Sequence, residues 1–389
     1  MNNFKIPKIR FNNFKAFWVE KRIADIVNIS AGGDVDKERL KESGKYPVIA
    51  NALTNKGIVG FYDDYKVKAP AVTVTGRGDV GYAVARHENF TPIVRLLTLQ
   101  SENIDVDYLE NQINSMRILN ESTGVPQLTA PQLGNYKVYH PEIDEQSAIG
   151  SLFRTLDDLL ASYKVNLANY QSLKATMLSK MFPKAGQTVP EIRLDGFDGE
   201  WKLYELKSRT ETITKGTTPK DKSWQGEVNY IKTESINRDS GSLVRTASTS
   251  LEEHLGYLKR SQLKEGDVLF SIVGTLGVVG LVDKKDLPAN TNQQIAIIRL
   301  NRDNAIFMLN FLKSPRIKSF IKSDSTIGAQ PSLSLWQIEK IKVSLPPSLE
   351  EQQSIGTYFS NLDNLIAAHQ EKISQLETLK KKLLQDMFI

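Results

Sequence analysis

The residues with the most chemical promise in this chain sit in turns. Gly76-Arg77-Gly78-Asp79-Val80-Gly81 follows an apolar run and satisfies the G-x-G-x-x-G spacing of a dinucleotide-binding turn, where glycines let the backbone close on a pyrophosphate. That chemistry requires the turn to open a helix. Tyr82-Ala83-Val84-Ala85-Arg86 instead alternates like a strand and reaches His87-Glu88-Asn89 within a few residues, so the stretch reads as a glycine turn that projects Arg77. No G-x-x-x-x-G-K-[ST] phosphate loop is present. Leu345-Pro346-Pro347-Ser348 lacks the polar and aromatic ends of an [N/D]-P-P-[Y/F] methyltransferase motif. His87, His140, His254 and His369 are scattered with no pair at metal-ligand spacing, and cysteine is absent, which removes disulfides and thiolate metal sites.

What remains is a set of polar and basic turn residues suited to nucleic acid. The first half offers Asn51, Asn55, Lys56, Thr75, Arg77 and Arg86; the second offers Lys215, Thr217, Thr218, Lys220, Lys222, Lys232, Arg245, Asn292, Gln293 and Gln294. Arginine can bond guanine with two donors, asparagine and glutamine can do so with adenine, and lysine more often meets phosphate. The alternative for each is an ordinary solvated or backbone-paired side chain. The formal net charge is +5 over 389 residues. By segment it is +3 for 1–140, 0 for 141–188, +4 for 189–346 and −2 for 347–389, so the excess lies in the globular parts. The absence of cysteine suits a reducing cytoplasm. The N-terminus has no apolar core of signal-peptide length, and Val268–Val282, with Gly274, Gly277 and Gly280 inside it, is too short to span a membrane.

The elements that must position these turns announce themselves by repetition. Glu145–Phe182 recurs as Glu351–Phe388 at a constant offset of 206, with fourteen of 38 positions identical. In the first copy Ile149, Phe153, Leu156, Leu160, Tyr163, Leu167, Tyr170, Lys174, Met177 and Met181 step by fours and threes. Ile355, Phe359, Leu362, Ile366, His369, Ile373, Leu376, Lys380, Leu383 and Met387 repeat the pattern. This is a coiled-coil seam, and each helix would be roughly 57 Å long at about 1.5 Å per residue. Each copy is the other's nearest partner, and with a folded domain between them an antiparallel pairing is expected. Lys174 and Lys380 place a charge in the seam, either snorkelling from a shifted seam or setting register or facing a partner.

The globular halves also begin and end alike. Ile6-Pro7-Lys8-Ile9-Arg10-Phe11 with Phe14 and Trp18 matches Val189-Pro190-Glu191-Ile192-Arg193-Leu194 with Phe197 and Trp201 at an offset of 183. Gly124-Val125-Pro126-Gln127 matches Gly328-Ala329-Gln330-Pro331, each leading to a proline (Pro141, Pro346) and an acidic helix start. Between these ends lie short strands: Pro47–Ala50, Ile58–Tyr62, Ala71–Thr75 and Val94–Leu99, then Val228–Lys232, Val268–Val273, Val278–Val282 and Ile295–Leu300. The organisation is therefore a globular domain 1–140, a helix 141–182, a linker 183–188, a second domain 189–346 and a second helix 347–389. The fold class is α+β, two mixed α/β domains with two long antiparallel coiled-coil helices in pseudo-two-fold symmetry.

The entry Arg193-Leu194-Asp195-Gly196-Phe197-Asp198-Gly199-Glu200-Trp201, the turn Lys215-Gly216-Thr217-Thr218-Pro219, Gly266-Asp267-Val268-Leu269-Phe270 with Asn292-Gln293-Gln294, and the Glu-Gln-x-x-Ile-Gly helix starts resemble the specificity subunit of type I restriction-modification systems. The resemblance covers essentially the whole chain. It implies a non-catalytic DNA-recognition protein whose two target-recognition domains each read one half of an asymmetric bipartite site. The helices would set the gap and dock two modification subunits. Those partners would methylate adenine with S-adenosylmethionine, and restriction subunits would add ATP- and Mg-dependent translocation and cleavage, all in the cytoplasm. Competing expectations are a coiled-coil adaptor whose domains bind proteins, and a complete enzyme in one chain, which the missing motifs disfavour.

Overall fold

From its entry motif the first globular half runs β1 (Val19–Arg22), α1 (Ile23–Ile26), β2 (Asn28–Ala31), β3 (Tyr46–Ile49), β4 (Ile58–Tyr62), β5 (Ala71–Val74), β6 (Ala83–Arg86), β7 (Thr91–Pro92) and β8 (Leu97–Gln100). It continues through α2 (Val106–Ser115), α3 (Ala130–Gly134) and β9 (Lys137–His140) into the long α4 (Ile143–Lys180). The second half follows with β10 (Lys202–Glu205), β11 (Thr210–Lys215), β12 (Val228–Ile231), β13 (Ser248–Thr249), α5 (Leu251–Leu255), β14 (Val268–Ser271), β15 (Val279–Leu281), β16 (Ala289–Thr291) and β17 (Ile295–Leu300). It closes with α6 (Ala305–Lys313), α7 (Pro315–Asp324), α8 (Leu335–Glu339), β18 (Lys342–Leu345) and α9 (Leu349–Met387). This computed structural model describes residues 5–116, 118, 127–326 and 331–388; Gly124-Val125-Pro126 and Gly328-Ala329-Gln330 of the exit motifs lie outside them.

The halves share one topology. Each has a four-stranded antiparallel sheet, ordered β2-β8-β5-β6 and β11-β17-β14-β15. Each has a three-stranded sheet, β4-β3-β7 and β13-β12-β16, whose central strand pairs antiparallel on one side and parallel on the other. In each, the strand after the entry motif pairs antiparallel with the one before the long helix, β1 with β9 and β10 with β18, so the two duplicated ends lie side by side. One strand starts later than expected. Val94 and Arg95 have left-handed backbone (φ 52° and 57°), which a strand cannot accommodate, and β8 begins at Leu97.

By contacts the chain divides into two units, Met1–Lys164 with Glu371–Ile389, and Val165–Gln370. Each helix gives its first part to its own half's unit and its last part to the other unit, a division that the segment boundaries read from the sequence do not contain. Within each unit the helical segments run antiparallel. In the first, Lys380 of α9 meets Asp157 at 2.5 Å while Lys164 meets Glu377 at 2.7 Å. In the second, Tyr170 packs on His369 with ring centroids 5.1 Å apart, Lys174 pairs with Asp363, and Phe182 stacks on Phe359 at 6.0 Å. The seam residues Ile149, Phe153, Leu156, Leu160, Ile355, Phe359, Leu362, Ile366 and Ile373 are buried and Leu167 is half-buried. Full burial of a side chain such as Phe153 or Phe359 is worth roughly 2–3 kcal/mol.

The identical positions of the repeat explain themselves as contacts. Glu145 is buried and receives Arg10 at 2.6 Å through both Nε and Nη2, with Trp18 Nε1 donating at 3.2 Å; Glu351 receives Arg193 at 2.8 and 2.7 Å and Trp201 Nε1 at 3.2 Å. Expected as dipole-compensating acids, these two glutamates fasten each entry motif to its helix. The Gln146 and Gln352 side chains accept from the Asp105 and Asn304 backbone amides, at the caps of α2 and α6. Glycine is required next to them, since a Cβ on Gly150 would lie 2.3 Å from Asp105 Oδ1 and one on Gly356 2.9 Å from Asn304 Oδ1. The seam lysines are also a matched set, because Lys174–Asp363 and Lys380–Asp157 are the same ion pair with the helices exchanged. Lys174 is almost fully buried and donates to the Asp239 carbonyl at 2.5 Å as well.

Candidate nucleic-acid interface

In the first unit the glycine motif is a hairpin turn between β5 and β6. The Thr75 hydroxyl donates to the Asp79 carbonyl and accepts from the Tyr82 amide at 3.0 Å, closing the turn, while Gly78 and Gly81 supply the left-handed positions. No helix follows, so the dinucleotide reading is excluded by the backbone itself. Arg77 is exposed at the turn. Asn51 belongs to a neighbouring loop and spends its amide there: Oδ1 accepts from Gly76 N at 2.7 Å and Nδ2 donates to Val94 O at 2.6 Å. Asn55 and Lys56 form a left-handed turn (φ 48° and 50°) with both side chains exposed.

Two of the first-half candidates lie in the interior. Thr75 is buried with its hydroxyl committed to the turn. Arg86 is buried too, with Nε donating to Thr73 Oγ1 at 2.9 Å and Nη2 to the Lys56 carbonyl at 2.7 Å, and burial lowers its pKa to about 10 against the opposing pull of Glu110 and Glu88. Strand periodicity did not warn of this because β6 is covered on both faces. As placed, neither side chain is presented at the surface, and each acts by shaping the loops that are.

Several of the second unit's candidates are held by contacts to neighbouring loops and strands. Gly216, after Lys215, lies so close to β16 that a Cβ would sit 2.0 Å from the Thr291 carbonyl, and Thr217 N donates to that carbonyl at 2.9 Å. Tyr230 OH donates to Thr217 O at 3.0 Å, and Thr218 Oγ1 to Gln293 Oε1 at 2.5 Å. Lys220 stands over the Tyr257 ring at 4.9 Å and Lys232 over Trp224 at 3.6 Å. Lys215 and Lys222 are exposed. Arg245 is exposed but folds back on Gly226 O (2.8 Å) and Ser248 Oγ (2.9 Å), and Asn292 Nδ2 donates to Gln294 Oε1 at 3.3 Å.

The histidines stand in separate structural roles: His87 pairs with Asp107 at 2.8 Å and His254 with Asn290 at 2.5 Å, while desolvation lowers the pKa of His140. Sequence reasoning passed over Arg95, exposed beside Arg77's loop, and the aromatic partners Trp224 and Tyr257. The strand registers place Leu97 opposite Val74 and Ala296 opposite Phe270, an offset of 199 that makes Arg95 the counterpart of the chosen Gln294.

Two copies of one α/β domain, with duplicated ends and unlike loops, each passing into a long seamed helix, define a protein that holds two recognition surfaces on a repeated frame. A family model described as the type I restriction modification DNA specificity domain matches residues 16–169 and 198–378, and the chain belongs to that family as a type I specificity subunit with two target-recognition domains. It is 26% identical over 370 residues to a candidate type I specificity subunit of Mycoplasma pneumoniae, covering 94% of each chain. It is 23% identical over 275 residues to the specificity subunit of the type I restriction enzyme MjaVIII of Methanocaldococcus jannaschii, covering 68% of this chain and 64% of that one. Its fold is similar to the crystal structure of a type I restriction-modification S subunit from M. genitalium, with a TM-score of 0.68, 18% identity and 99% coverage of both chains.

Proposed function

We propose that each target-recognition domain reads one half of an asymmetric, bipartite DNA site, and that the paired helices fix the gap between the halves. The observation that carries this is the contrast between contacts that repeat and loops that do not. The Arg–Trp–Glu anchors and Lys–Asp ion pairs recur with residue-for-residue correspondence, whereas Arg77 and Arg95 correspond to Val273 and Gln294. Two unlike readers on like supports suit an asymmetric target.

The helices also dock two modification subunits, in this proposal. Leu159/Leu365 and Leu173/Leu379 are identical in the repeat yet lie off the seam and are 37–44% exposed, so the helix core does not explain their identity. In the heptad frame Leu159 and Leu379 share one edge of the helix pair in the first unit, and Leu173 and Leu365 do so in the second, while Lys164 and Glu377 pair along the other edge. A duplicated apolar edge fits two copies of one partner. The assembled complex would methylate adenine using S-adenosylmethionine held by those partners, with restriction subunits adding ATP- and Mg-dependent cleavage, and this chain supplying recognition without a catalytic site of its own. Such a complex works where cellular DNA is, in the cytoplasm. Among the described residues, no helix is long and apolar enough to cross a membrane.

The test is binding of the full chain, with its modification partner, to randomised duplex DNA across a salt series. Recognition predicts a steep salt slope and a residual bipartite preference. A protein adaptor would show neither. Matched insertions of four residues after Val165 and Glu371, about one helical turn each, should change the gap and keep both half-sites; altered half-sites with an unchanged gap would sink the ruler.

A further inference from the structure

Among the described residues of the first unit, two arginine side chains have no partner. Arg10, Arg22, Arg39, Arg86 and Arg154 of this unit all have partners, whereas Arg77 and Arg95 are exposed and, among the described residues, have neither an ion pair nor a side-chain hydrogen bond. They come from different loops and are brought together by one side chain. Asn51 binds the backbone of Gly76 and of Val94, the residues that immediately precede the two arginines, at 2.7 and 2.6 Å. The loops touch there, since a Cβ on Gly76 would lie 3.1 Å from the Arg95 carbonyl. Val94 and Arg95 are held in left-handed backbone, and Val94, β-branched, is among the residues least suited to it.

We infer that Arg77 and Arg95 are a paired guanine reader for the half-site taken by the first domain, with Asn51 as the positioning residue that sets their spacing. This rests on the assignment of the chain to sequence-specific DNA recognition and adds to it which residues read and which base they select. A guanidinium offers two parallel N–H donors, and the guanine edge in the major groove offers two acceptors, N7 and O6; no other base edge there presents that pair. Two such forks joined through one amide would read two G·C pairs. The second domain lacks the device: Val273 and Gln294 stand where Arg77 and Arg95 do, and Gln294 is already bonded to Asn292.

The experiment selects bound sequences from a randomised duplex pool with the full chain and its modification partner, comparing wild type with Arg95→Ala, Arg95→Lys, Arg77→Ala and Asn51→Ala, each checked for an unchanged melting temperature. Wild type should require G·C at two positions of one half-site. Arg95→Ala should cut discrimination at one of them by roughly ten- to hundredfold and leave the other half-site intact. Arg95→Lys, which keeps the charge, should lose nearly as much discrimination, and Asn51→Ala should blunt both positions without changing the salt slope. A wild-type half-site pair with no G·C requirement, or an Arg95→Ala protein weakened equally on all sequences, overturns the guanine reader while leaving DNA recognition standing. Wild type with no sequence preference at all would remove the recognition assignment and this inference with it.

Discussion

The two units differ least where they hold the helices and most where they meet solvent. At the entry, Arg10–Glu145–Trp18 and Arg193–Glu351–Trp201 match bond for bond, and Phe388 packs on Tyr108 and Phe153 just as Phe182 packs on Phe307 and Phe359. In the loops, one unit carries an arginine pair where the other carries Lys, Thr, Gln and aromatic side chains. Helix-holding contacts are buried, so each change there leaves an unpaired charge or a cavity and few alternatives survive. Loop residues are under no such constraint from the fold, and they can vary with the sequence to be read.

The largest test of that contrast is the anchor. Glu145→Ala and Glu351→Ala each strip the partner from a mostly buried arginine, and each should cost about 3–5 kcal/mol in urea denaturation, with similar losses in the two units. A loss confined to one would mean that the anchors are alike only in geometry. Next come the glycines beside the parallel strand pair. Gly216→Ala meets the Thr291 carbonyl at 2.0 Å and Gly32→Ala meets the Pro92 backbone at 2.7 Å, so both should destabilise by about 1–3 kcal/mol, Gly216→Ala by more.

The units also oppose each other in pH response. Beside the Asp157–Lys380 pair, Glu110 is pushed up to about 7, chiefly by burial and then by Asp157; beside Lys174–Asp363, Lys313 is pushed down to about 7, chiefly by burial and then by Lys174. Between an ordinary carboxylate value of 4.5 and 7 the folded protein holds the Glu110 proton that the unfolded chain has lost, so stability falls as pH rises through that window. Between 7 and 10.5 the unfolded chain holds the Lys313 proton that the folded protein lacks, so stability rises with pH. At pH 8, Glu110→Gln should therefore stabilise by about 1–2 kcal/mol, and Lys313→Met should flatten the slope above pH 7, both seen in melting curves taken across pH. Smallest is Lys164→Ala, which removes an exposed pair with Glu377 and should cost no more than about 1 kcal/mol.

Much of this frame could be read from the chain because it is written twice. The seam from Ile149 to Met181, its echo from Ile355 to Met387, and the entry tryptophans all carry periodic or duplicated signals. The role of Glu145 and Glu351 could not be read, because their partners lie 135 and 158 residues away and an acid in a first helical turn already has a local explanation. Arg95 was hidden for a different reason: Val94–Leu99 has strand composition, and only the left-handed turn ahead of β8 lifts the arginine out of the strand. Arg86 misled in the opposite direction, being a turn-flanking arginine by sequence and a buried one by packing.

If two independent readers share one repeated frame, either can be exchanged without disturbing the other. The decisive experiment replaces residues 202–345 with a second copy of 19–140 and maps methylation in cells that also carry the modification partner. In such a chimera the asymmetric site of the native chain should become a symmetric one built from two copies of the first half-site across a gap. Methylation that still includes the native second half-site would contradict that independence.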